Sequence, residues 1–189
     1  MKTKKQVLGR SLFGALAFLV LLVFSFAGFA GADTAREIDV SADVALERFV
    51  EEVEGGEEFL EIAIGLLIFP EITKGGLIVG GEYGEGAMRI GGKTVEYYST
   101  AGASFGLQIG IQQKALLIAF LTDDALEDFR HADGWEVGVD GSIAIIDVGK
   151  GGSIDSTTLD KPIYAFVFDQ KGLMANITLE GSKFTKIER

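Results

Sequence analysis

The sequence predicts an α+β fold: N-terminal helices packed on a glycine-rich, mainly antiparallel, strongly coiled or barrel-like sheet with one inserted helix. Three observations predict it. Before Gly65 the apolar residues recur at spacings of three and four; after Gly65 they recur every second residue; and Gly75 to Gly110 holds 11 glycines in 36 residues. Helices first and strands afterwards read as α+β rather than as a doubly wound sheet. With 189 residues, 48% of them hydrophobic, and two prolines, the chain is sized for one buried core and is not a disordered polymer.

In chain order, Lys2, Lys4, Lys5 and Arg10 precede an apolar run from Leu12 to Phe26, and Ala30-Gly31-Ala32 supplies the small residues a signal peptidase reads. Residues 1–32 therefore read as a secretory signal. The alternative is an uncleaved membrane anchor, because the run to Ala32 approaches the roughly 20 residues that span a bilayer. Residues 33–189 read as a single domain, expected outside the cytoplasm (periplasmic, secreted or anchored), since basic residues ahead of an apolar run stay inside. The 17 basic residues lose four with that segment while all 28 acids remain, so 13 against 28 leaves a domain of net charge -15. Such a surface excludes general nucleic-acid binding. No cysteine is present, which excludes disulfides, thiol nucleophiles, cysteine-held zinc and a lipoprotein cysteine.

From Thr34 to Val53 the positions Ile38, Ala42, Ala45, Leu46, Phe49, Val50 and Val53 form one face of an amphipathic helix, with Thr34 and Glu37 as a capping box and Gly55-Gly56 as its end. A second short helix is predicted over Glu57 to Ile64. The acids from Glu47 to Glu61 read as a solvated helix surface. Ser104 to Gln112 alternates like a half-buried strand, as do Val137 to Ile145 and Leu173 to Leu179, while Ala115–Leu121 and Ile163–Phe168 are apolar throughout, as strands buried on both faces are. The inserted helix starts at a Thr122 cap, carries Asp123 and Asp124 in its first turn, turns Leu126 and Phe129 inward and stops at Gly134. Glycine weakens a strand, so its density points to bulges, sharp coiling or a backbone lying close by. Pro70 reads as the residue that turns the chain out of the apolar run and into this sheet.

Catalytic motifs are present by letters only. Gly102-Ala103-Ser104-Phe105-Gly106 matches G-x-S-x-G, and Asp123, Asp124 or Asp128 with His131 would complete a serine-hydrolase triad. The elbow needs a helix after its serine, whereas Phe105 to Ile111 alternates like a strand. Gly91-Gly92-Lys93-Thr94 resembles the end of a phosphate-binding loop, but Ala87 stands where its first glycine belongs and a strand pattern follows, so a hairpin turn explains it better. The acids at 123, 124, 127 and 128 lack a calcium-loop pattern and suit a helix start. Asn176-Ile177-Thr178 spells a glycosylation sequon. No catalytic residue, cofactor or metal site is assigned.

The stretches GLLIFPEITKGGLIVGGEYGEG (Gly65–Gly86), YYSTAGASFGLQIGIQ (Tyr97–Gln112), LIAFLTDDALEDFR (Leu117–Arg130), GWEVGVDGSIAIID (Gly134–Asp147) and FVFDQKGLMANITLEGSKFTKI (Phe166–Ile187) together resemble the SYLF domain family. That family comprises bacterial exported lipid-binding proteins and the related yeast actin-patch and animal phosphoinositide-binding proteins. The resemblance implies a non-catalytic, lipid-binding or membrane-associated module. In animal members an N-terminal amphipathic helix and basic surface attach to the membrane; here the corresponding stretch carries seven acids from Glu37 to Glu54 against Arg36 and Arg48, the reverse of what anionic headgroups select. Lys74 fits the family pattern of proline, acid and lysine ahead of glycines. Lys74, with Lys93 and Lys114 as weaker candidates, is named as a lipid-headgroup contact. The expected partner is a lipid or membrane surface. A cell-envelope protein bound along a sheet edge is the alternative, and actin is not expected for an exported chain.

Overall fold

The structure, a computed structural model, describes residues 33–76, 79–105, 110–148, 154, 159–172, 179 and 181–189. The expected signal or anchor segment 1–32, the alternating pattern from Leu173 to Ile177 and the sequon at Asn176 lie outside them. Helix α1 (Ala35–Glu52) starts as its sequence dictates: the Thr34 hydroxyl accepts from the Glu37 backbone N–H while the Glu37 carboxylate accepts from the Thr34 N–H. Gly55, left-handed at φ 80°, separates it from α2 (Gly56–Ile62). Of the predicted inward positions, Ile38, Ala42, Ala45, Phe49 and Val53 are buried, whereas Leu46 is half-buried and Val50 lies at the exposed margin.

The strands are β1 (Gly65–Gly76), β2 (Val79–Ile90), β3 (Lys93–Phe105), β4 (Gly110–Phe120), β5 (Trp135–Glu136), β6 (Ala144–Asp147), β7 (Ile163–Lys171) and β8 (Lys183–Ile187), with α3 (Asp123–His131) after β4. They form one eight-stranded sheet in the order β5-β8-β3-β2-β1-β4-β7-β6, antiparallel throughout except for β6 with β7. The sheet is curled into a half-barrel, and the connection between its two edge strands shows why. Laid flat, eight strands would hold β5 and β6 about 33 Å apart. Yet Val137 bridges back to Gly141, and only three residues then lead to Ala144, a reach of about 10 Å. The edges must approach one another.

Curling gives the sheet two different faces. The inner one gathers Leu67, Phe69 and Ile72 of β1, Met88, Tyr98, Leu116, Ile118 and Phe120, with Trp135 and Phe184 from the far edge, into one apolar cluster. Helix α3 fills one end of it: the Thr122 hydroxyl caps the helix, and the Phe129 ring lies 5.0 to 6.1 Å from the rings of Tyr98, Phe120, Trp135 and Phe184. The outer face is covered by α1 and α2, where Phe49 meets Phe166 and Phe168 edge to face and Phe59 meets Phe166 and Tyr164. Strands β4 and β7 serve both faces. On the outer face Ala115 and Ala119 lie opposite Phe168 and Tyr164, so small residues accommodate large ones, while Leu117 lies opposite Phe166 between them. Both clusters are drawn from the compact unit Thr34–Arg189, which thus carries its own core.

Three local expectations are corrected. Pro70 does not end the apolar run. It sits inside β1 at a β-bulge, where Ile68 pairs with Ala87 but Glu71 pairs with Glu85, so the ladder absorbs one extra residue and tolerates the missing N–H. The bulge also shifts the alternation, bringing Ile72 rather than Glu71 to the inner face. Ser104 to Gln112 is not one strand: Ser104 and Phe105 end β3, and Gly110 begins β4, because period-two alternation does not register a chain reversal. Val137 to Ile145 is likewise divided, since Asp140 donates its N–H to the Glu136 carbonyl and its carboxylate accepts from the Glu136 N–H, closing a turn.

Candidate functional site

The bulge decides where the lysines go. Register sets Lys74 opposite Glu82 on β2 and Gln112 on β4, and sets Ile72 opposite Lys114. Since alternate residues share a face, Lys74, Glu82, Gln112 and Lys114 all stand on the inner face beside Ile72, at the end of the half-barrel away from α3. Lys114 is only 5% exposed, and its ammonium donates to Glu82 Oε2 at 3.0 Å. The other Glu82 oxygen, Oε1, accepts from the Ser182 hydroxyl at 3.1 Å. Gly102 makes room for this on β3, where a Cβ would stand 3.2 Å from the Glu82 side chain. Thr100, two residues before Gly102 on the same face, is buried, and its hydroxyl has no partner among the described residues. Lys74 is half-buried and makes no hydrogen bond or ion pair among the described residues.

Thus Lys74 and Lys114 come together around Glu82, and Lys93 does not join them. Lys93 is exposed at the opposite end of the sheet, just after the two-residue turn Gly91-Gly92, whose φ values of 57° and 75° make it the hairpin expected from the sequence. Near Lys74 the chain also shows apolar surface: Ile111, paired with Gly75, is 73% exposed. Glu82, Ser182 and Thr100 were missed in the sequence. Glu82 was legible as a lone charge among Gly80, Gly84 and Gly86 on one face of β2, but its pairing with Lys114 depends on the bulge.

Helix α1 is spent on structure. Its apolar face is buried under the outer core, and its polar flank is tied to the sheet: Asp39 accepts from the Thr94 and Tyr97 hydroxyls, Asp43 pairs with Arg89, and Arg48 pairs with Asp169. Helix α3 is tied down in the same way. Glu96 accepts two hydrogen bonds from the Arg130 guanidinium at 2.9 and 3.1 Å, one from Lys186 at 2.7 Å and one from the Tyr98 hydroxyl at 2.8 Å. Burial alone would raise the Glu96 carboxyl, but these donors outweigh it and hold it down at about 2. Burial and the adjoining Glu96 carboxylate push the Tyr98 phenol well above its ordinary range.

The hydrolase motif lacks its elbow. Ser104 lies within the β2–β3 ladder opposite Gly80, and His131 ends α3 with Nδ1 2.7 Å from the Glu127 carbonyl oxygen. Among the described residues no three acidic or histidine side chains are grouped as a metal site, and no helix is long and apolar enough to cross a membrane.

Residues 101–188 match the family model described as Ysc84, Las17-binding protein actin regulator. The matched segment runs from the second half of β3 to β8 and so includes Lys114, Ser182 and α3, while Lys74 and Glu82 stand on strands paired with it. No curated protein matches the chain. Four of the five stretches of the SYLF resemblance fall wholly or partly in the matched segment, so the match agrees with the resemblance to the Ysc84, or SYLF, family.

Proposed function

We propose that this SYLF module is an exported, non-catalytic lipid-binding domain that meets a membrane surface with the end of the half-barrel bearing Lys74. The observation that carries this reading is that this end of the sheet presents a half-buried lysine with no partner among the described residues on its inner face and an exposed Ile111, opposite Gly75, on its outer face. An ammonium and an exposed apolar side chain at the same end of a sheet suit the boundary between headgroups and acyl chains. The contact does not use α1, whose apolar face is buried and whose outer face presents Glu47, Glu51 and Glu52. The basic and apolar start of the chain supports delivery to or across a membrane. The family description names Las17 binding and actin regulation; for an exported chain lipid is the better-supported partner.

Vesicle flotation of residues 33–189 tests this. Binding to vesicles containing phosphatidylglycerol, weaker on phosphatidylcholine alone and reduced by salt, is the expected result. Failure to float with any lipid, together with recovery of a protein from envelope extracts, would favour the sheet-edge interaction module instead.

A further inference from the structure

We propose that Lys114, Glu82, Thr100 and Lys74 form an oxyanion site for a phosphate ester, in which Glu82 holds Lys114 until the ligand's phosphate takes its place. The location rests on the lipid-contact reading of Lys74. A buried ion pair adds little to stability, since an apolar pair of the same volume holds strands together at least as well. The charges at 82 and 114 therefore call for another explanation, and the unused donors around them supply one. Lys114 has three N–H donors and spends one on Glu82; the Thr100 hydroxyl is buried and unused; Lys74 brings three more from the half-buried position opposite Glu82. Both Glu82 oxygens are already engaged, by Lys114 and Ser182. Among the described residues two lysines on this part of the inner face share one carboxylate, in a domain whose overall charge is strongly negative. An oxyanion balances the second positive charge, and a phosphate, with several acceptor oxygens, offers partners to both lysines.

A phosphate ester is found both in lipid headgroups and in soluble metabolites, so the test uses both. Residues 33–189 are titrated with glycerol phosphate and with phosphatidylglycerol vesicles, in the wild type, Lys114→Met and Glu82→Gln. Lys114→Met is expected to weaken both by about tenfold or more, the loss of a hydrogen bond to a charged group. Glu82→Gln, which removes the internal competitor, is expected to tighten both by about threefold. Because either change leaves a buried group unpaired, thermal unfolding is followed in parallel, and the double variant Glu82→Met with Lys114→Met restores an apolar pair and must also lose binding. Glycerol phosphate binding that Lys114→Met abolishes, without vesicle binding, would support the site and sink the membrane reading. Vesicle binding indifferent to all three variants would overturn the site and leave the membrane reading standing. No binding of either probe by the wild type would overturn both.

Discussion

A Cβ placed on Gly86 would stand 2.3 Å from the Ile68 carbonyl oxygen, and one on Gly84 would stand 2.6 Å from the carbonyl of Glu71. Those carbonyls flank the bulge at Pro70, so the bulge and the glycines of β2 are one device: β1 swells toward β2, and β2 yields by carrying no side chain there. Gly81 is different, its nearest neighbour being 3.7 Å away. Denaturant unfolding is expected to show Gly86→Ala destabilised by about 2–3 kcal/mol. Gly81→Ala is expected to stay within about 0.5 kcal/mol. Glu96 gives a second residue-level prediction. Its folded pKa of about 2 lies below the ordinary 4.5, so its contribution to stability is complete above pH 4.5 and is lost as pH falls toward 2. Glu96→Gln should cost about 2 kcal/mol at neutral pH. The gap between wild type and variant should close as unfolding is measured across pH 4.5 to 2.

At the scale of elements, helices and caps were the most legible part of the chain. Thr34 with Glu37, and Thr122 ahead of Asp123, mark helix starts by local chemistry that needs no knowledge of the rest of the fold. Apolar strands such as β4 and β7 were equally plain, since burial on both faces leaves no polar alternation to misread. The bulge and the chain reversals were not legible, because alternation looks the same on either side of them. Strand β8 was hidden for another reason: Phe184 is its one buried residue, too little to make a pattern. The same logic ranks two substitutions. Thr34→Ala removes an exposed cap and should cost about 1 kcal/mol. Phe129→Ala empties the position that four other aromatic rings enclose and should cost about 3–5 kcal/mol. Thermal unfolding of the two variants side by side checks the order.

For the whole molecule, the curl of the sheet separates an inner face, filled by α3 at one end and bearing the Glu82–Lys114 pair at the other, from an outer face closed by α1 and α2. Of the three lysines named from sequence, topology places two on that inner face and sends Lys93 to the far end. No reading of local pattern could have made this division, which depends on register across three strands and on one extra residue near Pro70. It yields the most direct test of the membrane-contact proposal. Lys74→Glu and Lys93→Glu alter net charge identically, so flotation with phosphatidylglycerol vesicles compares position alone. Loss of binding in Lys74→Glu with Lys93→Glu near wild type is the predicted result. Equal losses in the two variants, or none in Lys74→Glu, would contradict it.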